Sequence, residues 1–113
     1  MKVLLINGSP HKKGCTYTAL HEVETTLQQN GIETEMLHLG KAPVSGCIAC
    51  MNCMTTGFCF QKDIVRDIQM RLDEFNGIVI GSPVYYSAPT GQLISFLNRL
   101  FFATEKRMAG KLG

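Results

Sequence analysis

Two short apolar runs, Val3-Leu4-Leu5-Ile6 and Ile78-Val79-Ile80, neither alternate with polar residues nor extend far enough to be helices. Runs of that kind read as strands buried on both faces, which requires a sheet covered by helices on either side. The first strand is expected over residues 2–7 and a later one over Gly77 to Gly81. Between them a helix from about Thr16 carries the apolar stripe Leu20, Val23 and Leu27 and stops at Asn30-Gly31. Thr34 to Leu39 is the expected second strand, with Met36, Leu37 and Leu39 as its apolar positions. A Gly- and Cys-containing loop then runs from Gly40 to about Lys62. From Asp63, residues Val65, Ile68 and Leu72 fall at helical spacing, and Gly91 to about Lys106 carries Leu93, Phe96, Leu97, Leu100 and Phe101. The order β-α-β-α-β-α predicts a parallel sheet with right-handed crossovers. Three strands are few for such a sheet, and the tail from Met108 reads as the approach to another. The expectation is a bare sheet edge, in a chain that is C-terminally incomplete or borrows strands from a partner.

The 113 residues, 45% hydrophobic, 18% charged and 8% aromatic, predict one globular domain spanning the whole chain. Eleven basic against nine acidic residues give a net charge of +2, too small an excess for a nucleic-acid or anionic-membrane footprint. No apolar run approaches the roughly 18–20 residues of a membrane span. The opening Met1 to Ile6 is too short for a signal peptide and is ended by Asn7-Gly8-Ser9-Pro10. A soluble, cytoplasmic protein is expected, in a compartment where its five cysteines stay reduced.

Three segments carry candidate chemistry. Gly8-Ser9-Pro10-His11-Lys12-Lys13-Gly14-Cys15-Thr16 leaves the carboxyl end of the first strand and enters a helix, where open α/β sheets bind ligands. The free N–H groups and positive dipole end of that helix favour a phosphate, and the hydroxyls of Ser9, Thr16 and Thr18 add donors. The loop has neither the Gly-Lys-Ser/Thr ending of a Walker A motif nor Gly-x-Gly-x-x-Gly. Its plainer reading is a strand–helix turn in which Cys15 merely fills space. Gly81 to Gly91 follows the last strand, and in a 2-1-3 order it lies beside the first loop across the switch point. Tyr85 and Tyr86 can wall a flat aromatic ligand whose polar edge is read by loop backbone; alternatively, one tyrosine packs on the core and the other is incidental.

The third segment is Cys47-Ile48-Ala49-Cys50-Met51-Asn52-Cys53, with Cys59 five residues later. Thiolates at successive C-x2-C spacings can wrap one face of a polynuclear site, and the later fourth closes it. The run differs from the bacterial ferredoxin pattern in its last spacing and in Phe60 standing where Pro follows. Structural zinc usually takes two C-x2-C knuckles a dozen or more residues apart, so an iron–sulfur cluster is favoured over zinc. Reduced packing cysteines or a redox-active thiol pair are the alternatives. His11 can approach a phosphate, whereas His21 and His38 read as surface or core fillers. Arg99, Lys106 and Arg107 read as a solvated helix face. No Ser-His-Asp or HExxH constellation supports a hydrolase.

Taken together, Gly8-Ser9-Pro10-x4-Cys15-Thr16, Gly81-Ser82-Pro83-Val84-Tyr85-Tyr86 and the four-cysteine loop over residues 46–60 resemble the iron–sulfur flavoproteins. These belong to the NADPH-dependent FMN reductase branch of the flavodoxin-like superfamily. The resemblance implies a doubly wound parallel sheet of order 2-1-3-4-5, of which 2-1-3 is present, with FMN at its carboxyl edge. By motif position Ser9, His11 and Thr16 hold the flavin phosphate, with the backbone of Cys15 where many relatives have Asn, and Thr18 nearby. His11 stands where relatives carry Arg or a similar donor. Pro83, Val84, Tyr85, Tyr86 and Ser87 line the flavin ring, and Cys47, Cys50, Cys53 and Cys59 ligate a [4Fe–4S] cluster. No side chain is assigned as a catalytic acid or base, because the cofactors perform the redox chemistry. The family's later strands and third flavin loop are missing, and its members are commonly homodimers or homotetramers.

The resulting expectation is an FMN-dependent oxidoreductase passing electrons from NAD(P)H or a ferredoxin to a small-molecule acceptor. A cluster-free NAD(P)H-dependent flavin or quinone reductase, and a non-catalytic electron carrier or redox sensor, remain as alternatives. No nicotinamide motif is present to decide the donor.

Overall fold

The structure, a computed structural model, describes residues 1–112, apart from the side chains at 105 and 106. Strand β1 (Lys2–Asn7) is followed by α1 (Cys15–Gln29), β2 (Glu33–His38), α2 (Asn52–Thr56) and α3 (Ile64–Met70). A 3-10 turn (Leu72–Glu74), β3 (Gly77–Gly81) and α4 (Gly91–Met108) complete the order. The strands form one parallel sheet in the order β2-β1-β3, with Lys2 opposite Glu33 and Val3 opposite Gly77. This is the helix-covered parallel sheet expected from the apolar runs, in the flavodoxin-like order that the resemblance implies.

Because side chains alternate along a strand, β1 feeds two cores. Leu4 and Ile6 pack with Ile78 against α3 and α4, through Val65, Ile68, Leu93, Phe96 and Leu100. Val3 and Leu5 face the other way and pack against Leu20 of α1. Leu4, Leu5 and Ile6 are fully buried, each worth roughly 1.5–3 kcal/mol of transfer free energy. A run without alternation is thus the signature of a strand covered on both sides.

The expected bare edge exists, but it is not wholly bare. The outer side of β3 pairs at Leu112, where Ile78 N donates to Leu112 O at 2.9 Å and Leu112 N donates to Asn76 O at 3.0 Å. Beyond that bridge β3 has no further neighbour among the described residues, so Ile80 is 41% exposed and the strand is not buried throughout. Two other expectations need correction. Val23, assigned to the α1 stripe, and Phe101, assigned to the α4 stripe, are both exposed. Each lies at the margin of its apolar arc, where the sheet is too narrow to reach it. The loop before α3 also contains the unexpected short helix α2. No helix among the described residues is long and apolar enough to cross a membrane.

Candidate functional site

The loops after β1 and β3 leave the same sheet edge and are fastened together. Gly8 N donates to Gly81 O at 2.8 Å. The hydroxyl of buried Thr90 donates to Gly8 O at 2.7 Å, while Thr90 N donates to Ser82 Oγ at 3.1 Å. Gln92, the second residue of α4, donates to Gly40 O at 3.1 Å and more weakly to Gly8 O at 3.5 Å. His38 Nε2 lies 2.9 Å from Ser9 O, so this histidine braces the first loop instead of filling space. Thr90, Gln92 and His38 were not legible as site residues, because each acts through backbone carbonyls of loops distant in sequence.

Within the first loop, Ser9 is 4% exposed and its hydroxyl accepts from His11 N at 3.1 Å. Ser9 N in turn donates to Asn7 Oδ1 at 2.9 Å. Ser9 therefore shapes the loop, with its hydroxyl oxygen as acceptor and its O–H left to donate. Asn7 Nδ2 is buried with no partner among the described residues. Thr18 back-bonds to Gly14 O at 3.1 Å, so its hydroxyl proton is directed at the helix backbone. Helix α1 begins at Cys15 with Gly14 as N-cap and no side-chain cap among the described residues. Its first N–H groups, including those of Cys15 and Thr16, are thus left for an anion. His11, Lys12 and Lys13 are exposed beside them, which adds positive potential at the same point. The arrangement fits a phosphate.

The second loop displays its aromatics outward. Tyr85 and Ala88 exchange backbone hydrogen bonds of 2.8 and 3.1 Å around Tyr86 and Ser87, whose φ values are 47° and 64°. Positive φ at both central positions is the signature of a type I′ hairpin turn, which normally takes Asn or Gly. Holding two L-residues there costs on the order of 1–3 kcal/mol each, and such strain gathers at ligand sites. Tyr86 is fully exposed and Tyr85 and Val84 are half to three-quarters exposed, so neither tyrosine is a core residue. Pro83 lies at the loop's foot, partly buried.

The four clustered cysteines line one small apolar recess, together with Met51, Phe102 and Arg99. Ala49 and Met51, the middle residues of the two C-x2-C steps, have φ of 56° and 66°, which folds the chain back between successive cysteines. Ala49 N donates to Cys47 Sγ at 3.4 Å. Burial, reinforced by the neighbouring Cys47, Cys50 and Cys59, pushes the Cys53 thiol up from its ordinary pKa. Among the described residues no three His, Cys, Asp or Glu side chains converge closely enough to hold a single metal ion.

Arg99 was read from sequence as solvated and is instead buried, its side chain 1% exposed. It forms a bidentate pair with Asp63 at 2.6 and 2.8 Å. Burial works to lower the Arg99 pKa, but the Asp63 and Cys59 contacts outweigh it, and the guanidinium remains charged. Gln69, also fully buried, accepts from Cys59 N at 2.8 Å and donates to Arg99 O at 3.0 Å. Arg107 is half-buried over the Phe58 ring, 5.4 Å from its centroid, and Lys106 lies outside the described residues.

Comparison with known proteins agrees with this geometry. The family model for NADPH-dependent FMN reductases matches residues 1–113. An iron-sulfur flavoprotein of Archaeoglobus fulgidus is 30% identical over 100% of this chain and 52% of its own. One of Methanocaldococcus jannaschii is 36% identical over 88% of this chain and 51% of its own, and one of Methanosarcina thermophila is 27% identical over 98% and 58%. The chain spans about half the length of these relatives. On the match along its whole length, and on the paired loops at one parallel-sheet edge, the chain belongs to the NADPH-dependent FMN reductase family.

Proposed function

We propose that this chain is the cofactor-holding portion of a flavin-dependent oxidoreductase of the iron–sulfur flavoprotein type. The observation that carries the reading is four thiols on one recess of the sheet-and-helix frame that also presents the two fastened loops. The α1 N-terminus, with the backbone of Cys15 and Thr16 and the side chain of His11, holds the FMN phosphate. Tyr85, Tyr86 and the backbone of residues 83–87 cover the flavin ring. Cys47, Cys50, Cys53 and Cys59, which line one recess, would hold a [4Fe–4S] cluster. When bound, FMN and the cluster would supply electron transfer between a donor such as NAD(P)H or a ferredoxin and a small acceptor such as a quinone. The protein's residues orient these groups and exclude water from the recess; none is required as acid or base. A homodimer or homotetramer is the proposed assembly.

A second reading is a flavin reductase without a cluster, since among the described residues no three of these thiols converge on one point. Absorbance of protein purified without oxygen, with iron and sulfide assays on the same sample, separates the two. Flavin bands, a brown shoulder and about four irons per chain are expected for the first. A yellow, iron-free sample that takes up no iron and sulfide would remove the cluster, and a colourless one would remove the flavin as well.

A further inference from the structure

The buried guanidinium of Arg99 is fully satisfied. Its five N–H donors meet five acceptors: Cys59 Sγ at 3.4 Å, Ser45 O at 3.0 Å, Gln61 O at 3.4 Å, and the two Asp63 oxygens. Ser45 and Gln61 are the entry and exit of the cysteine loop, and Gln61 Nε2 closes the same neck on Gly46 O at 3.2 Å. Asp63 is held independently, since it caps α3 by accepting from Val65 N at 3.1 Å. The Asp63 fork therefore fixes the guanidinium plane so that Nε is aimed at sulfur.

A neutral thiol is a weak acceptor and a thiolate a strong one, so a buried cation directed at sulfur suits a charged ligand. If loop closure were its only task, the two carbonyls would suffice, and burying a cation costs several kcal/mol when it is not fully paired.

We propose that Arg99 is a positioning residue for Cys59 and the counter-charge that sets the reduction potential of the cluster in this recess, with Asp63 opposing it. The proposal rests on the cluster-binding reading above. Four thiolates make the site anionic, and one more electron makes it more so. A positive charge at one sulfur stabilises the reduced state, whereas the Asp63 carboxylate behind it works in the other direction.

The test is a potentiometric titration of the reconstituted chain followed by its low-temperature magnetic resonance signal, with iron and FMN content measured alongside. Arg99→Gln is expected to shift the cluster potential downward. Asp63→Asn, which keeps a good helix cap, is expected to shift it upward. Opposite shifts at unchanged FMN content support the assignment, since a purely structural clamp gives no such sign. Full iron with unmoved potentials in both variants overturns it. Where Arg99→Gln fails to fold or to take up iron, Asp63→Asn decides alone, by whether its potential rises. Wild-type chain that binds FMN but no iron overturns the cluster reading itself, and this proposal with it.

Discussion

A methyl group added at Gly8 would stand 2.9 Å from Leu93 Cδ2 and 3.0 Å from Leu93 Cβ. The Cβ is fixed to α4, so a rotamer change cannot relieve the clash and the helix itself must move. Gly8→Ala is therefore expected to destabilise by about 1–3 kcal/mol, as overpacking does, measured as a lower urea midpoint at unchanged slope. An unaltered midpoint would show that the β1 loop and α4 are not in close contact. At the cysteines, Cys50→Ser should remove the iron and leave FMN bound, read from iron assays and flavin absorbance on one sample. Loss of both cofactors, or of neither, would count against independent sites. The cysteines and the loop glycines were readable from spacing because their chemistry is local. Arg99 was not, for its helix position is polar in any pattern, and its burial depends on Asp63 and Ser45, brought to it by the fold. Gln69 was hidden for the same reason, lying beside the apolar positions of α3.

The elements themselves were largely readable from sequence: β3 matches its expected limits, and β2 and α1 begin one residue earlier than expected. Helix α2 was not, since five residues opened by a left-handed Met51 carry no apolar periodicity. What joins the elements was also illegible. Thr90, at the N-cap of α4, ties that helix to the first loop through its buried hydroxyl. Thr90→Val keeps the shape and leaves the Gly8 carbonyl only the long Gln92 contact, for which a loss of about 1–3 kcal/mol is expected. On the proposed reading this carbonyl belongs to the loop that holds the flavin phosphate, so weaker FMN binding should accompany the loss, measurable by flavin fluorescence quenching. Stability lost with FMN affinity intact would show that the loop keeps its shape without the tie.

At the opposite end of the sheet from the loops, Arg71 holds Glu35 by two hydrogen bonds of 2.6 and 2.8 Å, and Lys2 approaches Glu35 at 3.5 Å. The Arg71 guanidinium lies 5.5 Å from the centroid of the buried Phe75 ring. The hydrogen bond from Arg71 holds the Glu35 carboxyl below its ordinary pKa against the opposing effect of burial. A depressed carboxylate stabilises the fold above its unfolded pKa of about 4.3, and the stabilisation fades as pH falls through the lower folded value. The stability gap between wild type and Glu35→Gln should accordingly be widest near neutrality and close on acidification, as read from urea midpoints across pH. A gap that persists in acid would mean the pair contributes through packing alone. Molecular architecture has a further consequence in α4. Gln92 grips the loops at the sheet edge, and Arg99, two turns on and about 10 Å along the axis, grips the cysteine loop. The helix thus works as a gauge bar between two clamps, and the departure from helical geometry at Thr104 falls beyond both. One residue inserted between the clamps would turn the second through about 100° relative to the first. Both loops could not then be gripped at once, so the interval between the two loops is written into the helical repeat itself.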